Sequence, residues 1–182
     1  MRKIGIISDT HGSLERWEMS WELLKDTDFI IHCGDVFNHG PGNPIPEGYC
    51  PKKLFEKLNN IEKPIFVVKG NCDSEVDQTF LSSPFISPYF FAVIENYRII
   101  AIHGHLLNDN FFEKVKKWNI NFLISGHTHI WKIEKKGNII LLNPGSPSLP
   151  KNESSCGIID FQNRKVSILN ILNKTILKEE SF

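Results

Sequence analysis

Six short apolar runs rich in β-branched residues punctuate this chain, and five of them lead directly into side chains of the kind that bind metals. KIGII (3–7) is followed by Asp9 and His11, DFIIHC (28–33) by Asp35, PIFVVK (64–69) by Asn71, YRIIAI (97–102) by His103, and NFLIS (121–125) by His127 and His129. The sixth, YFFAVIE (89–95), runs into its successor. Each run has the length of a strand and stops at a turn signal. Glycine stands beside the polar groups in every case, from Gly12 and Gly34 to Gly126, so the backbone can turn sharply there. Groups placed just beyond the carboxyl ends of strands gather at one edge of an α/β sheet. Asp9, His11, Asp35, Asn71, His103, His127 and His129 are therefore expected to converge. Carboxylate, imidazole and amide ligands suit a borderline-to-hard divalent ion, and seven exceed the needs of one.

Between the first two runs, residues 13–25 (SLERWEMSWELLK) place Leu14, Trp17, Trp21 and Leu24 at helical spacing behind a Ser13 cap. A second helix is expected over 51–60, with Pro51 at its first position, and a third over about 108–118. The first half thus reads as βαβαβ, which implies a parallel sheet. The second half differs: WKIEKKGNIILLN (131–143) and GIIDFQNRKVSILNI (157–171) read as antiparallel hairpins around short polar turns. A single α/β domain over 1–182, with two mixed sheets packed as a sandwich and helices outside, fits this order. One irregular insertion, NHGPGNPIPEGYCP (38–51), is too rich in glycine and proline for regular structure and reads as an ordered functional loop.

Lys plus Arg and Asp plus Glu both total 21, so no global charge recruits extended nucleic acid or an anionic membrane, and an anionic substrate must be held locally. Cys33, Cys50, Cys72 and Cys156 form no CxxC pair, and the N-terminal apolar stretch breaks at Ser8 and Asp9, too early for a signal-peptide core. Reduced thiols and a cytoplasmic location are expected. Apolar runs fall far short of the roughly 20 residues that span a bilayer.

SDTHG, GDVFNHG, GNCD, HGH and GHTH, in that order and spacing, closely resemble the calcineurin-like metallophosphoesterases, over nearly the whole chain from Ile4 to about Ile168. GNCD, the insertion after Asp35, CDSEVDQ and NPGSPSLPK look most similar to the small bacterial YfcE-type phosphodiesterases of that family. Carried over motif by motif, the resemblance implies one ion held by Asp9, His11, Asp35 and His129. It implies a second held by Asp35, Asn71, His103 and His127, with Asp35 bridging. The expected cofactor is a pair of divalent ions, Mn²⁺ first, with Zn²⁺, Fe²⁺, Ni²⁺ or Mg²⁺ as alternatives. The expected reaction is hydrolysis of a small phosphodiester by a metal-bridging hydroxide, with no covalent protein intermediate. Ser8, Ser146 and Ser148 are then structural, and a homo-oligomer is allowed.

Cys72 stands where many relatives carry histidine beside the ligand asparagine, near the leaving group. A thiol near two cations should have a lowered pKa, and its thiolate would repel a phosphoester. General-acid work by Cys72 is therefore weak, and His105, His39 or Asp73 are alternative proton donors. His105 is equally read as a residue that orients His103. Asn38 and His39, three and four residues beyond Asp35, are expected to face substrate. His32, Cys33, Cys50 and Cys156 are read as core or loop residues, and Lys52, Lys53, Lys116 and Lys117 as solvated helix faces. Two other readings remain: a protein-interaction scaffold like the related retromer subunit, which lacks a full metal set, and a nuclease of the same family. An intact ligand set speaks against the first, and the lack of a basic run against the second.

Overall fold

The structure, a computed structural model, describes residues 3–82 and 86–182. β1 (Lys3–Ile7), α1 (Leu14–Leu24), β2 (Phe29–His32), α2 (Pro51–Asn59) and β3 (Ile65–Val68) form the expected opening, and β1, β2 and β3 are parallel neighbours. α3 (Glu75–Phe80) follows, and β4 (Ile86–Ser87) completes the edge beside β3. The chain then crosses to a second sheet with β5 (Tyr89–Ile94), β6 (Tyr97–Ile102), α4 (Asp109–Lys117), β7 (Phe122–Ile124), β8 (Lys132–Lys136) and β9 (Ile139–Asn143). It returns to the first with β10 (Ser155–Asp160), β11 (Lys165–Asn170) and β12 (Ile176–Ser181). The strand orders are β12-β11-β10-β1-β2-β3-β4 and β5-β6-β7-β9-β8. Both sheets are mixed: β1 pairs antiparallel with β10, while β6, β7 and β9 run parallel.

Side-chain alternation explains the layers. Ile4, Ile6 and Ile31 of the first sheet meet Ile99, Ala101, Phe122, Ile124 and Leu142 of the second in one buried cluster. On the outer face of the first sheet, Ile30, Ile65 and Val67 pack against Trp17 and Leu24 of α1 and Leu54 and Leu58 of α2. On the outer face of the second, Ile100, Ile102 and Leu123 cover Val115 of α4. The molecule is thus a two-sheet sandwich with helices outside. A core truncation such as Phe122→Ala costs about 3–5 kcal/mol through lost transfer energy and a cavity.

Local signals account for the helices. Ser13 Oγ accepts from the backbone N–H of Arg16 at the start of α1, Pro51 opens α2, and Asn108 caps α4 through Phe111 N. Both hairpins of the second half form, β8–β9 and β10–β11. The β5–β6 hairpin turns through Glu95 and Asn96, both at positive φ (47° and 72°), the conformation that a two-residue turn needs to match strand twist.

Candidate metal centre

The strand-end motifs converge, and the backbone is bent to make them do so. Asp9, His11, Asp35, His127 and His129 all have left-handed φ, between 45° and 68°. Such residues cost on the order of 1–3 kcal/mol each and persist only where the surroundings dictate them. The surroundings here are lacing hydrogen bonds. Asp9 N donates to Gly34 O (2.9 Å), His11 N to Asp35 O (2.9 Å) and Gly12 N to Val36 O (2.8 Å), tying the loop after β1 to the loop after β2. The Thr10 hydroxyl donates to Val36 O (2.9 Å) and contacts His32 Nε2 (2.9 Å). Gly34 N donates to His32 Nδ1 (3.2 Å), so the ring proton sits on Nε2 and faces Thr10. His32 is fully buried, and burial lowers its pKa to about 3 despite Asp9 and Asp35 nearby. It is the buried histidine expected from the sequence, and it holds two ligand loops.

Two close approaches require glycine. A Cβ on Gly70 would lie 2.1 Å from Asp35 Oδ1, and one on Gly126 would lie 1.8 Å from Ser8 Oγ and 2.7 Å from Asp9 Oδ2. His127 N donates to Asp9 Oδ2 (2.9 Å), and the hydroxyls of Ser146 and Ser148 donate to Asp9 O (2.7 and 2.9 Å). Those serines hold the backbone, as expected.

Ligand-competent atoms lie within 4.8 Å of one another in three overlapping groups: Asp9, His11 and His129; Asp9, Asp35 and His103; and His11, Asp35 and Cys72. His103 connects further outward: its Nε2 is 2.9 Å from Asn71 Oδ1, and its ring centroid is 5.1 Å from that of His127. Asn71 and His127 are exposed and form the solvent side, whereas Asp9, His11, Asp35, His103 and His129 are buried.

The donor chemistry fits cations. Nδ1 of His11, His103 and His129 each lies 2.7 Å from a backbone carbonyl, of Asn38, Cys33 and Leu149 respectively. A carbonyl only accepts, so the ring proton is on Nδ1 and each Nε2 presents a lone pair inward. The Nε2 atoms of His11 and His129 are 3.1 Å apart. Asp9 Oδ1, beside them at 3.8 and 3.3 Å, is buried and has no hydrogen-bond partner among the described residues. His103 Nε2 faces two oxygens, Asn71 Oδ1 and Asp35 Oδ2, the latter at 3.4 Å. Inward-facing lone pairs and an orphaned carboxylate oxygen repel one another unless cations or protons stand between them. Without ions, protons take that place. His129 is raised above its ordinary pKa, Asp9 outweighing burial, and His103 is raised because Asp35 and Asp9 outweigh burial. Burial lowers His11 instead. Burial opposes the Asp35 carboxylate, but His103 and the Cys72 N–H hold it at about 2.

The remaining candidates separate. Cys72 Sγ belongs to the group with His11 and Asp35, a place beside the expected ligands that its position in the sequence does not reveal. Burial and then Asp35 push the metal-free thiol up to about 12, opposite to the lowered value expected beside two cations. His105 is exposed, 5.4 Å ring to ring from His103. Both His103 nitrogens are engaged by other groups, so His105 does not orient it by a hydrogen bond. Asn38 acts through its backbone carbonyl on His11, while its side-chain amide turns to Asp77 (3.3 Å) and not to the ligand cluster. His39 packs edge-on against Tyr49, with Nδ1 buried and without a hydrogen-bond partner among the described residues. Asp73 is buried and accepts three backbone N–H groups, and burial raises its pKa to about 6 against those hydrogen bonds. The 38–51 insertion is ordered, as expected. Cys50 N donates to Gly12 O, Leu14 N donates to Gly48 O, Arg16 pairs with Glu47, and Gly40 lies against Cys72.

The chain is similar to known proteins in sequence and fold. Residues 2–164 match the calcineurin-like phosphoesterase superfamily domain. The chain is 39% identical over 184 residues to the phosphodiesterase YfcE of Escherichia coli K12, covering 98% of this chain and 97% of that protein. The solved structure of YfcE, described as a phosphoesterase, superposes with a TM-score of 0.87 at 36% identity over 98% of both chains. Vacuolar protein sorting 29 from Cryptosporidium parvum aligns with a TM-score of 0.71 at 21% identity, over 100% of this chain and 98% of that one, a likeness of fold alone. With its motifs, sandwich and strand-end cluster in agreement with that match, the chain belongs to the calcineurin-like phosphoesterase superfamily.

Proposed function

We propose that this protein is a phosphodiesterase that hydrolyses small phosphodiesters with two divalent metal ions. The observation that carries the reading is the set of inward-facing imidazole nitrogens and carboxylate oxygens, which repel one another unless cations or protons stand between them. Near full-length similarity to a phosphodiesterase supports the reaction class. Asp9, His11 and His129 would hold one ion and Asn71, His103 and His127 the other, with Asp35 serving both. Mn²⁺ suits this nitrogen-and-oxygen set better than Mg²⁺, which binds nitrogen poorly. When bound, such a pair generates a nucleophile from water near neutral pH and neutralises charge on the phosphoryl oxygens.

The chain's own residues supply the rest. Backbone carbonyls of Asn38, Cys33 and Leu149 fix the ring orientations of His11, His103 and His129, so each Nε2 is pre-aimed. Exposed Asn71, His105 and His127 leave the cluster open on one side, where a small substrate can enter. His105 is held below its ordinary pKa, by burial first and then by His103. The insertion, packed against Gly12 and Cys72, carries His39. With net charge zero, the chain lacks the electrostatic footprint of a protein that tracks a nucleic-acid backbone.

The scaffold reading is disfavoured by the strain at five ligand positions, which a surface used only for docking would not need. A panel of aryl and alkyl phosphodiesters, dinucleotides and phosphomonoesters, assayed with Mn²⁺, Mg²⁺ and chelator, tests the proposal. Manganese-dependent cleavage of diesters over monoesters is expected. Turnover that survives exhaustive chelation, or none with any diester, would contradict it.

A further inference from the structure

Two carboxylates lock the loops after β2 and β3 to each other. Asp73 Oδ2 accepts hydrogen bonds from Asp35 N (2.8 Å) and Gly70 N (2.7 Å), and its Oδ1 accepts from Val36 N (2.8 Å). In return, Asp35 Oδ1 accepts from Cys72 N (2.8 Å). Asp35 has a φ of 56°, and the successive N–H groups of Asp35 and Val36 close around the Asp73 carboxylate as an anion-binding concavity. The exchange leaves one Asp35 oxygen without a backbone partner among the described residues. That atom, Oδ2, lies 3.4 Å from His103 Nε2 and 3.9 Å from His11 Nε2, between the imidazoles of the two ion sites.

We propose that Asp73, which belongs to none of the ligand-competent groups among the described residues, is the positioning residue that makes Asp35 a shared ligand. It holds the strained Asp35 backbone so that Oδ1 accepts from Cys72 N and Oδ2 faces His11 and His103, the imidazoles that would hold the two ions. The proposal rests on the two-ion reading above. Replacing Asp73 by Asn removes one acceptor oxygen and sets an N–H₂ group against backbone N–H donors, so at least one of the three bonds is lost. Asp35 is then free to rotate toward a single ion.

The test uses chelator-stripped full-length protein titrated with Mn²⁺ alone, read by calorimetry and by electron paramagnetic resonance. Wild type should bind two ions that show exchange coupling through their shared ligand. Asp73→Asn should bind Mn²⁺ about 10- to 100-fold more weakly, the usual loss when a group supporting a ligand is removed, and should show uncoupled Mn²⁺ signals. Phe182→Ala, which removes a ring packed on Phe122 and Phe161 and touches neither loop, should lower thermal stability without changing affinity or coupling. If Asp73→Asn does not fold, Asp73→Glu is read in the same way, and failure of both to fold would overturn the proposal by making Asp73 a requirement of the fold. Unchanged affinity and coupling in a folded Asp73 variant would also overturn it, while leaving the two-ion reading intact. Wild type that takes up fewer than two ions would remove the reading itself, and this proposal with it.

Discussion

His11 and His129 face each other Nε2 to Nε2 at 3.1 Å, with each Nδ1 committed to a backbone carbonyl. Two neutral rings in this geometry oppose lone pairs, so the contact implies either a shared proton or a cation. Mn²⁺ must therefore displace protons, chiefly from His129 and His103, whose pKa values the neighbouring Asp9 and Asp35 raise against the effect of burial. Below those raised values the protonated form dominates and competes. Affinity for Mn²⁺ should rise by up to about tenfold per pH unit for each proton displaced as pH rises toward those raised values, and level off above them. Calorimetric titration in buffers of different ionisation enthalpy measures the protons released; affinity flat with pH would count against the assignment.

Asp35→Asn should reduce turnover more than loss of any other single ligand. Its Oδ2 approaches the imidazoles of both sites, and its negative charge offsets the repulsion between two cations. Metal content and rate measured on the same sample decide the matter. A variant that keeps two ions per chain and a near-normal rate is inconsistent with a shared Asp35.

Cys72→Ala should be mild on an activated aryl diester, whose leaving group departs without a proton. Cys72→His should raise the rate on an alkyl diester relative to wild type, provided the larger ring finds room beside Gly40, which already lies against Sγ. Rates for both variants on both substrates across about pH 6–9 make the comparison. A large loss for Cys72→Ala on both substrates would give the thiol a direct role, for which its place beside His11 and Asp35 supplies a structural route.

His32 makes the metal-free fold acid-sensitive. Its pKa is about 3 in the folded chain against 6.5 for the free group, so below 6.5 the unfolded chain takes up a proton that the folded chain refuses. The stability it contributes is complete above 6.5 and falls by about 1.4 kcal/mol per pH unit as pH drops toward 3. Denaturant titrations at several pH values should show a slope shallower by about one proton for His32→Gln. An unchanged slope would mean that the ring is not held neutral by burial.

The ligand cluster was legible because its elements obey simple periodicities: apolar strands that stop at Asp, Asn or His, and a sheet edge that collects whatever follows. The Ser13 cap, Pro51 and the two late hairpins were legible for the same local reasons. Three features were not. α3, Glu75–Phe80, is a six-residue helix whose capping box uses Asp77 in place of the usual Glu or Gln, a weak signal in a short window. β12, Ile176–Ser181, carries Lys178, Glu179 and Glu180 and reads as a polar tail, yet its pairing with β11 delivers Phe182 to a ring cluster with Tyr97, Phe122 and Phe161. The roles of Asp73 and Asn38 depend on backbone groups brought from other loops, which a linear pattern does not display. Asn38 was expected to face substrate by its spacing from Asp35, and its side chain is instead drawn to Asp77 at the start of α3. The proximity of half-buried Cys72 to buried His11 likewise arises only once the β1, β2 and β3 loops meet.

The most direct measurement is turnover of an aryl phosphodiester by chelator-stripped protein as Mn²⁺ is added in measured equivalents. If two ions act together, the first equivalent should restore little activity, the second most of it, and metal analysis at the plateau should find two ions per chain. Full activity at one equivalent, or activity in the stripped protein, would contradict the two-ion centre on which the account depends.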